Sequence, residues 1–413
     1  MRGNAQPGAV FGWMQRHMSR RTAVLSRLVG GNAVELSASG AWVELSDGRR
    51  MLDFGSYAVT LLGHRPEAVT NAVREQLDTQ TTATRLLANP VTARAAAGLA
   101  AHFPGLPRVL FGLNGCDVVE AAVKLARLAT GRPRILAVEG AYHGKSLGAL
   151  ALTHHPDFRR GLVGSTHAVT HLPVDDPLAL DRETADDDVA ALVFEPIQGE
   201  NGVRALDPHV LATWCATARQ RGVLIIADEI QSGLRRCGES SLARALELDV
   251  DAVLLGKPLG GGVMPLSALV CRDQLFGPMA DDPALHTATF AGHPLACAAV
   301  PPTLDMLDRL AGRGAELSAA FGAGLHDLAA EAPETIRAVR GRGLLWGLQF
   351  DSAATADRAV AQLARRGLLV SPCLSARDTV RLLPPMVSSD DDLAHALSAL
   401  RVTVGTSRPA VAR

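Results

Sequence analysis

The run Val223-Leu224-Ile225-Ile226-Ala227-Asp228-Glu229 constrains this chain more than any other: five apolar residues in succession, then two carboxylates at once. A continuous apolar run of that length reads as a strand buried on both faces, which belongs in a parallel sheet covered by helices. The C-terminal end of such a strand opens on the crevice where open α/β sheets bind ligands. A second apolar run, 251–256, delivers Lys257 into the glycine-rich turn Leu259-Gly260-Gly261-Gly262. An acid and a lysine are therefore predicted at the same end of one sheet.

A lysine in a partly dry site loses basicity, becomes nucleophilic and can form an imine with an aldehyde. An aspartate facing a heterocyclic nitrogen keeps that nitrogen protonated and makes the ring an electron sink. That division of labour is the one pyridoxal phosphate enzymes use. A lone lysine in a glycine-rich turn is equally readable as a solvated surface residue, so the rest of the chain must decide.

Upstream, residues 1–31 mix Phe11, Met14, Met18, Leu25 and Leu28 with Arg16, Arg20, Arg21 and Arg27. That pattern suits an amphipathic helix resting on a partner subunit or an anionic membrane surface. The alternation over 41–53 around Asp47-Gly48 predicts a hairpin. Helices are predicted over 66–77 and 90–102. A strand at 108–112 then runs into Leu113-Asn114-Gly115-Cys116-Asp117, a short loop that opens a helix ending at Thr130-Gly131. Backbone N–H groups at such a helix start converge on an anion, and a phosphate suits that place. The strand 135–138 ends in Tyr142-His143-Gly144-Lys145, where the aromatic can either stack on a planar ring or sit half-buried in the core. The strand 189–194 ends in Glu195-Pro196-Ile197-Gln198-Gly199-Glu200, whose carboxylates read as solvated charges or as a paired polar network. The histidines 154, 155, 167 and 171 cluster without a carboxylate at ligand spacing and are read as solvated or structural, so no metal is expected.

Alternating strands and helices over 108–256 predict a doubly wound sheet with right-handed crossovers. The expected division is an N-terminal segment with a small β element (1–55), a large α/β domain (56–300) and a smaller α+β domain (301–413). Forty-one Lys and Arg balance 42 Asp and Glu, so no polyelectrolyte character points to nucleic acid. Six cysteines without a C-x-x-C pair suggest neither zinc ribbon nor disulfide framework. With no apolar run of about 18 residues and no recognisable leader, a cytoplasmic protein without a membrane partner is expected.

Taken together, these stretches resemble the class III, or omega, aminotransferases of the aspartate aminotransferase-like fold (fold type I). Gly63-His64, the Gly115-Cys116 loop, Tyr142-His143-Gly144, Glu195 to Glu200, Asp228 to Gln231, Lys257, Thr289-Phe290-Ala291-Gly292-His293-Pro294-Leu295 and Arg381-Leu382-Leu383-Pro384-Pro385 occur in that family's order. The resemblance implies pyridoxal 5'-phosphate as cofactor, Lys257 as the Schiff-base lysine and Asp228 as partner of the pyridine nitrogen. It implies that Gln231 lies near the phenolic oxygen, that Tyr142 stacks on the ring, and that His143 and Glu195 belong to the cofactor site. Gly115 and Cys116 would bind phosphate, and Thr289 would reach the phosphate of a neighbouring subunit in a homodimer with shared active sites. Arg381 would clamp a substrate carboxylate, with Glu200 as its removable partner. An amine or amino acid would supply the amino group and a keto acid such as 2-oxoglutarate would take it, or the reverse with glutamate as donor. Decarboxylation, epimerisation or intramolecular amino transfer on the same fold is the alternative.

The chain departs from the family pattern at Cys116, where a threonine is usual, and at Lys145, where an arginine is usual. The spacing 254–268 and Tyr57, which matches a substrate-facing tyrosine, resemble the ornithine aminotransferase branch. The region Leu86-Leu87-Ala88 lacks that branch's second tyrosine. A nicotinamide dehydrogenase is disfavoured because no G-x-G-x-x-G follows the first strand of the α/β region.

Overall fold

The structure, a computed structural model, describes residues 6–84, 86–161 and 168–405. Its centre is a seven-stranded sheet whose strands, numbered in chain order, are β1 (Arg108–Gly112), β2 (Arg134–Val138), β3 (Val169–Leu172), β4 (Val189–Phe194), β5 (Leu224–Asp228), β6 (Ala252–Leu255) and β7 (Ser267–Cys271). Across the sheet the order is β1-β7-β6-β5-β4-β2-β3. Only β7 runs against the rest, pairing antiparallel with both β6 and β1. The apolar run at 223–227 is thus the middle strand, flanked in parallel by β4 and β6.

Both faces of the sheet are dry. Ile225 and Ala227 belong to one apolar cluster and Leu224 and Ile226 to another, as the two-residue period of a strand requires. Burial of each such Leu or Ile contributes about 1.5–3 kcal/mol before conformational entropy is charged. The helix Gly115–Thr130 covers one face with Val118, Val119, Ala122 and Ala126, and it stops where Gly131 turns left-handed at φ 69°. Only glycine takes that turn without strain.

Two smaller sheets flank this core. In the first, Glu35–Ser39, Trp42–Leu45 and Arg50–Asp53 run antiparallel, and Leu368–Leu369 from the far end of the chain adds in parallel against the third. In the second, the strands Ile336–Arg342, Leu345–Phe350, Thr379–Leu382 and Ser371–Pro372 are antiparallel, which puts Arg381 opposite Gly347. The N-terminal amphipathic stretch is two helices rather than one, Pro7–His17 and Arg20–Gly30. Ser19 breaks it, because its side chain accepts the Thr22 N–H and caps the second helix.

Candidate active site

Five parallel strands end on the same edge of the sheet, and each delivers a residue there. Gly115 and Cys116 follow β1, Tyr142 and His143 follow β2, Glu195 follows β4, Asp228 ends β5 and Lys257 follows β6. All seven line one cavity of about 480 Å³, together with Glu200 and Gln231. That volume is within the range of small-molecule sites.

The pleat separates the two acids at the end of β5. Asp228 turns into the cavity, while Glu229 points away and accepts from Ser241 Oγ and the Leu242 and Ala243 N–H groups. Glu229 therefore caps the helix Leu242–Ala245 and has no part in the site. Asp228 Oδ2 lies 2.7 Å from His143 Nδ1, and its Oδ1 accepts the Ile230 N–H at 3.1 Å. Burial alone would lower the His143 pKa, but the Asp228 hydrogen bond and charge outweigh it and hold the imidazole above its ordinary value. Among the described residues, the buried His143 Nε2 has no hydrogen-bond partner.

Lys257 sits at φ 43°, a left-handed conformation that costs a side-chain-bearing residue roughly 1–3 kcal/mol. Burial lowers its pKa, and the Arg381 charge adds to that; Glu200, Asp228 and Glu195 oppose without reversing the direction. The chain holds three lysines, 124, 145 and 257, and only Lys257 lines the cavity. Its amine is therefore the one lysine nucleophile in place there. Composition alone offered this signal, and motif reading passed over it.

Arg381 is almost wholly buried and pairs with Glu200. Gln231 bridges the pair, donating to Glu200 Oε1 at 3.3 Å and accepting from Arg381 Nη1 at 3.3 Å. Burial would raise the Glu200 pKa, but the guanidinium's charge and hydrogen bond hold it below the ordinary value. Gly199 is required for this approach, since a Cβ there would overlap the Gln231 side-chain amide. Tyr142 meets Phe158 edge-on with ring centroids 5.8 Å apart, and burial pushes its phenol up to about 12.

The residues fit a phosphorylated pyridine aldehyde. Gly115 and Cys116, at the start of the helix Gly115–Thr130, line the cavity where the first amides of a helix lack intrahelical partners, a ready anion site, while the Asp117 N–H is taken by Asn114. The floor is kept open by glycines. A Cβ on Gly115 would come within 2.9 Å of Ile230 Cδ1, and one on Gly144 would overlap Cys116 Sγ. A carboxylate, a desolvated amine and an aromatic ring lie around the remaining space.

Four sequence-predicted residues do not line this cavity. Arg381 lies behind its wall, held on Glu200 and Gln231. Lys145 is exposed, with Nζ 4.4 Å from the Phe158 ring centroid. Thr289 is exposed and does not line the cavity of its own chain. Tyr57 lies at the rim, largely exposed, next to Val59 in the lining. Motif reading missed Ile230, Val59 and the segment 263–266, which complete the walls. The histidines 154, 155 and 171 lie outside the cavity, and His171 Nε2 rests 3.0 Å from Leu152 O; His167 lies outside the described residues.

Glu195 carries a pH dependence of its own. Burial raises its pKa to about 8, the Asp228 charge helps, and His143 opposes. From the ordinary carboxylate value of 4.5 up to about 8 the native protein holds a proton that the unfolded chain has released. Stability from this group is therefore present at low pH and lost as pH rises through that window. In cofactor-free protein, Glu195→Gln is expected to flatten the fall of melting temperature across it. An unchanged slope would assign the ionisation elsewhere.

Comparison with known proteins gives the family and the fold. The aminotransferase class-III family matches residues 32–404. The ornithine aminotransferase from Toxoplasma gondii ME49 is 30% identical with a TM-score of 0.88, covering 97% of this chain and 96% of that one. A PLP-bound amine transaminase from an uncultivated Pseudomonas species is 26% identical with a TM-score of 0.83, covering 90% and 94%. An (S)-enantioselective omega-transaminase from Thermomicrobium roseum is 25% identical with a TM-score of 0.87, covering 96% and 98%.

Proposed function

The chain belongs to the class-III aminotransferases, enzymes that transfer amino groups with pyridoxal phosphate, and from that premise we propose the role of each residue in its site. Lys257 Nζ would be the covalent anchor of the cofactor, and Asp228, hydrogen-bonded to His143, would partner its ring nitrogen. Tyr142 would cover the ring, Gln231 would serve its phenolic oxygen, Gly115 and Cys116 would hold its phosphate, and Glu195 and His143 would support these contacts. When bound, pyridoxal phosphate supplies an electron sink for negative charge developing at the substrate carbon.

The protein's own part is positioning and proton transfer. Lys257 Nζ, desolvated and less basic than a free lysine, would take the proton from the substrate carbon once the incoming amine has displaced it from the cofactor. Arg381 receives a carboxylate through its planar fork once Glu200 moves away, and with Glu200 in place the same space admits an amine lacking that carboxylate. The substrates on this reading are an amine or amino acid and a keto acid such as 2-oxoglutarate. Lys145, an ammonium without the fork of an arginine, and Tyr57 are the further substrate contacts in this proposal.

A homodimer completes the site in this proposal. Thr289 is offered outward beside the exposed Phe290, and Leu86 and Leu87 are likewise uncovered; Thr289 then reaches the phosphate held by the partner. The division into 1–55, 56–300 and 301–413 is retained as the working domain scheme. All six cysteines are unpaired, which supports a reducing cytoplasm. Among the described residues no helix is long and apolar enough to cross a membrane.

The observation that carries this reading is the convergence of Lys257, Asp228 and Glu200 on one cavity, with Arg381 paired to Glu200 behind its wall. It is tested by supplying candidate amino donors without acceptor and counting product. One equivalent per site, followed by arrest until 2-oxoglutarate is added, is expected. Continuous turnover without any acceptor would point to decarboxylation or epimerisation instead.

A further inference from the structure

Three successive residues at the rim of the cavity have left-handed backbones: Ser56 (φ 25°), Tyr57 (φ 52°) and Ala58 (φ 66°). None is glycine, and such conformations are disfavoured for every residue that carries a Cβ. They persist only where neighbours over-determine them.

Two buried charged residues do so from opposite sides. The Asp53 carboxylate accepts the Gly55 N–H at 3.0 Å and the Ser56 hydroxyl, and His64 Nε2 lies 2.8 Å away. Arg236 is fully buried, and among the described residues no carboxylate pairs with it. Its guanidinium instead donates to three carbonyls: Ala58 O at 3.4 Å, Leu344 O at 3.0 Å and Pro384 O at 2.9 Å. Leu344 and Pro384 flank the paired strands in which Arg381 faces Gly347. One side chain therefore ties the left-handed turn to the strand pair carrying the carboxylate clamp. The residue after the turn, Val59, already lines the cavity.

We propose that Asp53 and Arg236 are positioning residues that hold the turn 56–58 from both ends, fix it and Tyr57 to the strand pair that carries Arg381, and thereby set the affinity for the substrate's carboxylate. This rests on the reading of Arg381 as that clamp. A buried arginine without an acid is costly, and joining the turn to the clamp strand gives it a function that neither segment's packing supplies.

The test uses holoenzyme and glutarate, an unreactive dicarboxylate, with affinity measured by calorimetry. Arg236→Lys keeps the charge but loses the fork that spans three carbonyls; Asp53→Asn keeps the shape but loses the charge. Each is expected to weaken glutarate about tenfold and to raise KM for 2-oxoglutarate in proportion, with kcat falling far less. Cofactor absorbance should be retained, and Arg236→Lys carries the test if Asp53→Asn does not fold. Tyr57→Ala should weaken glutarate similarly, and adding Arg236→Lys to it should cost nothing more, because both act through one side chain. Glutarate affinity within about twofold of wild type in Arg236→Lys, or losses that add in the double variant, would overturn the proposal. Arg381→Gln separates the two readings. If it leaves glutarate binding intact, the clamp assignment falls and the proposal with it. If it abolishes binding while Arg236→Lys does not weaken it, the positioning role alone is wrong.

Discussion

Replacing Lys257 with alanine is expected to lower turnover by on the order of 10⁴-fold or more, because one amine both anchors the cofactor and carries the proton. Noncovalent cofactor binding should survive, since the 114–116 loop, Asp228 and Tyr142 are untouched. No side chain among the described residues can take over. Lys145 is exposed on Phe158, and Lys124 is exposed and donates to Leu285 O at 3.1 Å. Added methylamine should restore part of the lost rate by supplying a small base to the emptied space. The check is the single-turnover rate of the donor half-reaction with and without methylamine. A rate within about tenfold of wild type without it would remove Lys257 from the chemistry.

Asp228→Asn carries the second large effect. The amide preserves shape but cannot hold a proton on a facing ring nitrogen, and it leaves His143 without the charge that holds its pKa above the ordinary value. Removal of one preorganised charge in a water-poor site costs roughly 10²–10⁴ in rate. The donor half-reaction should slow by that amount, while the melting temperature falls only modestly because the side-chain volume is conserved. A half-reaction within about threefold of wild type would mean that Asp228 serves the fold and not the ring.

Much of this arrangement is legible in the chain itself. The strand at 189–194 and the helices at 90–102 and 208–220 end where an unaided reader would end them. The strand is an uninterrupted apolar run, and each helix has a Pro at N1 preceded by a capping Asn89 or Asp207. The site residues are legible for a related reason: parallel strands must deliver their C-terminal residues to one edge. Other features leave no local trace. Leu368–Leu369 is too short to show a period, so its parallel pairing with Arg50–Asp53 across most of the chain is invisible in sequence. Asp228 and Glu229 look alike as neighbouring acids, and only the pleat tells the site carboxylate from the capping one. Arg236 reads as a surface charge beside Arg235, yet it is buried on three carbonyls while Arg235 pairs with the surface Asp308. Thr289 is the opposite case, exposed and outside the cavity of its own chain, so that the role proposed for it requires a second subunit.

The most direct test of the central claim is to reduce the purified, cofactor-loaded enzyme with borohydride and map the modified peptide by mass spectrometry. With three lysines in the chain, the outcome is unambiguous. A pyridoxyl group fixed on Lys257 alone is the expected result. A group on Lys124 or Lys145, or a cofactor that reduction leaves unattached, would contradict the assignment of this cavity as the site of amino transfer.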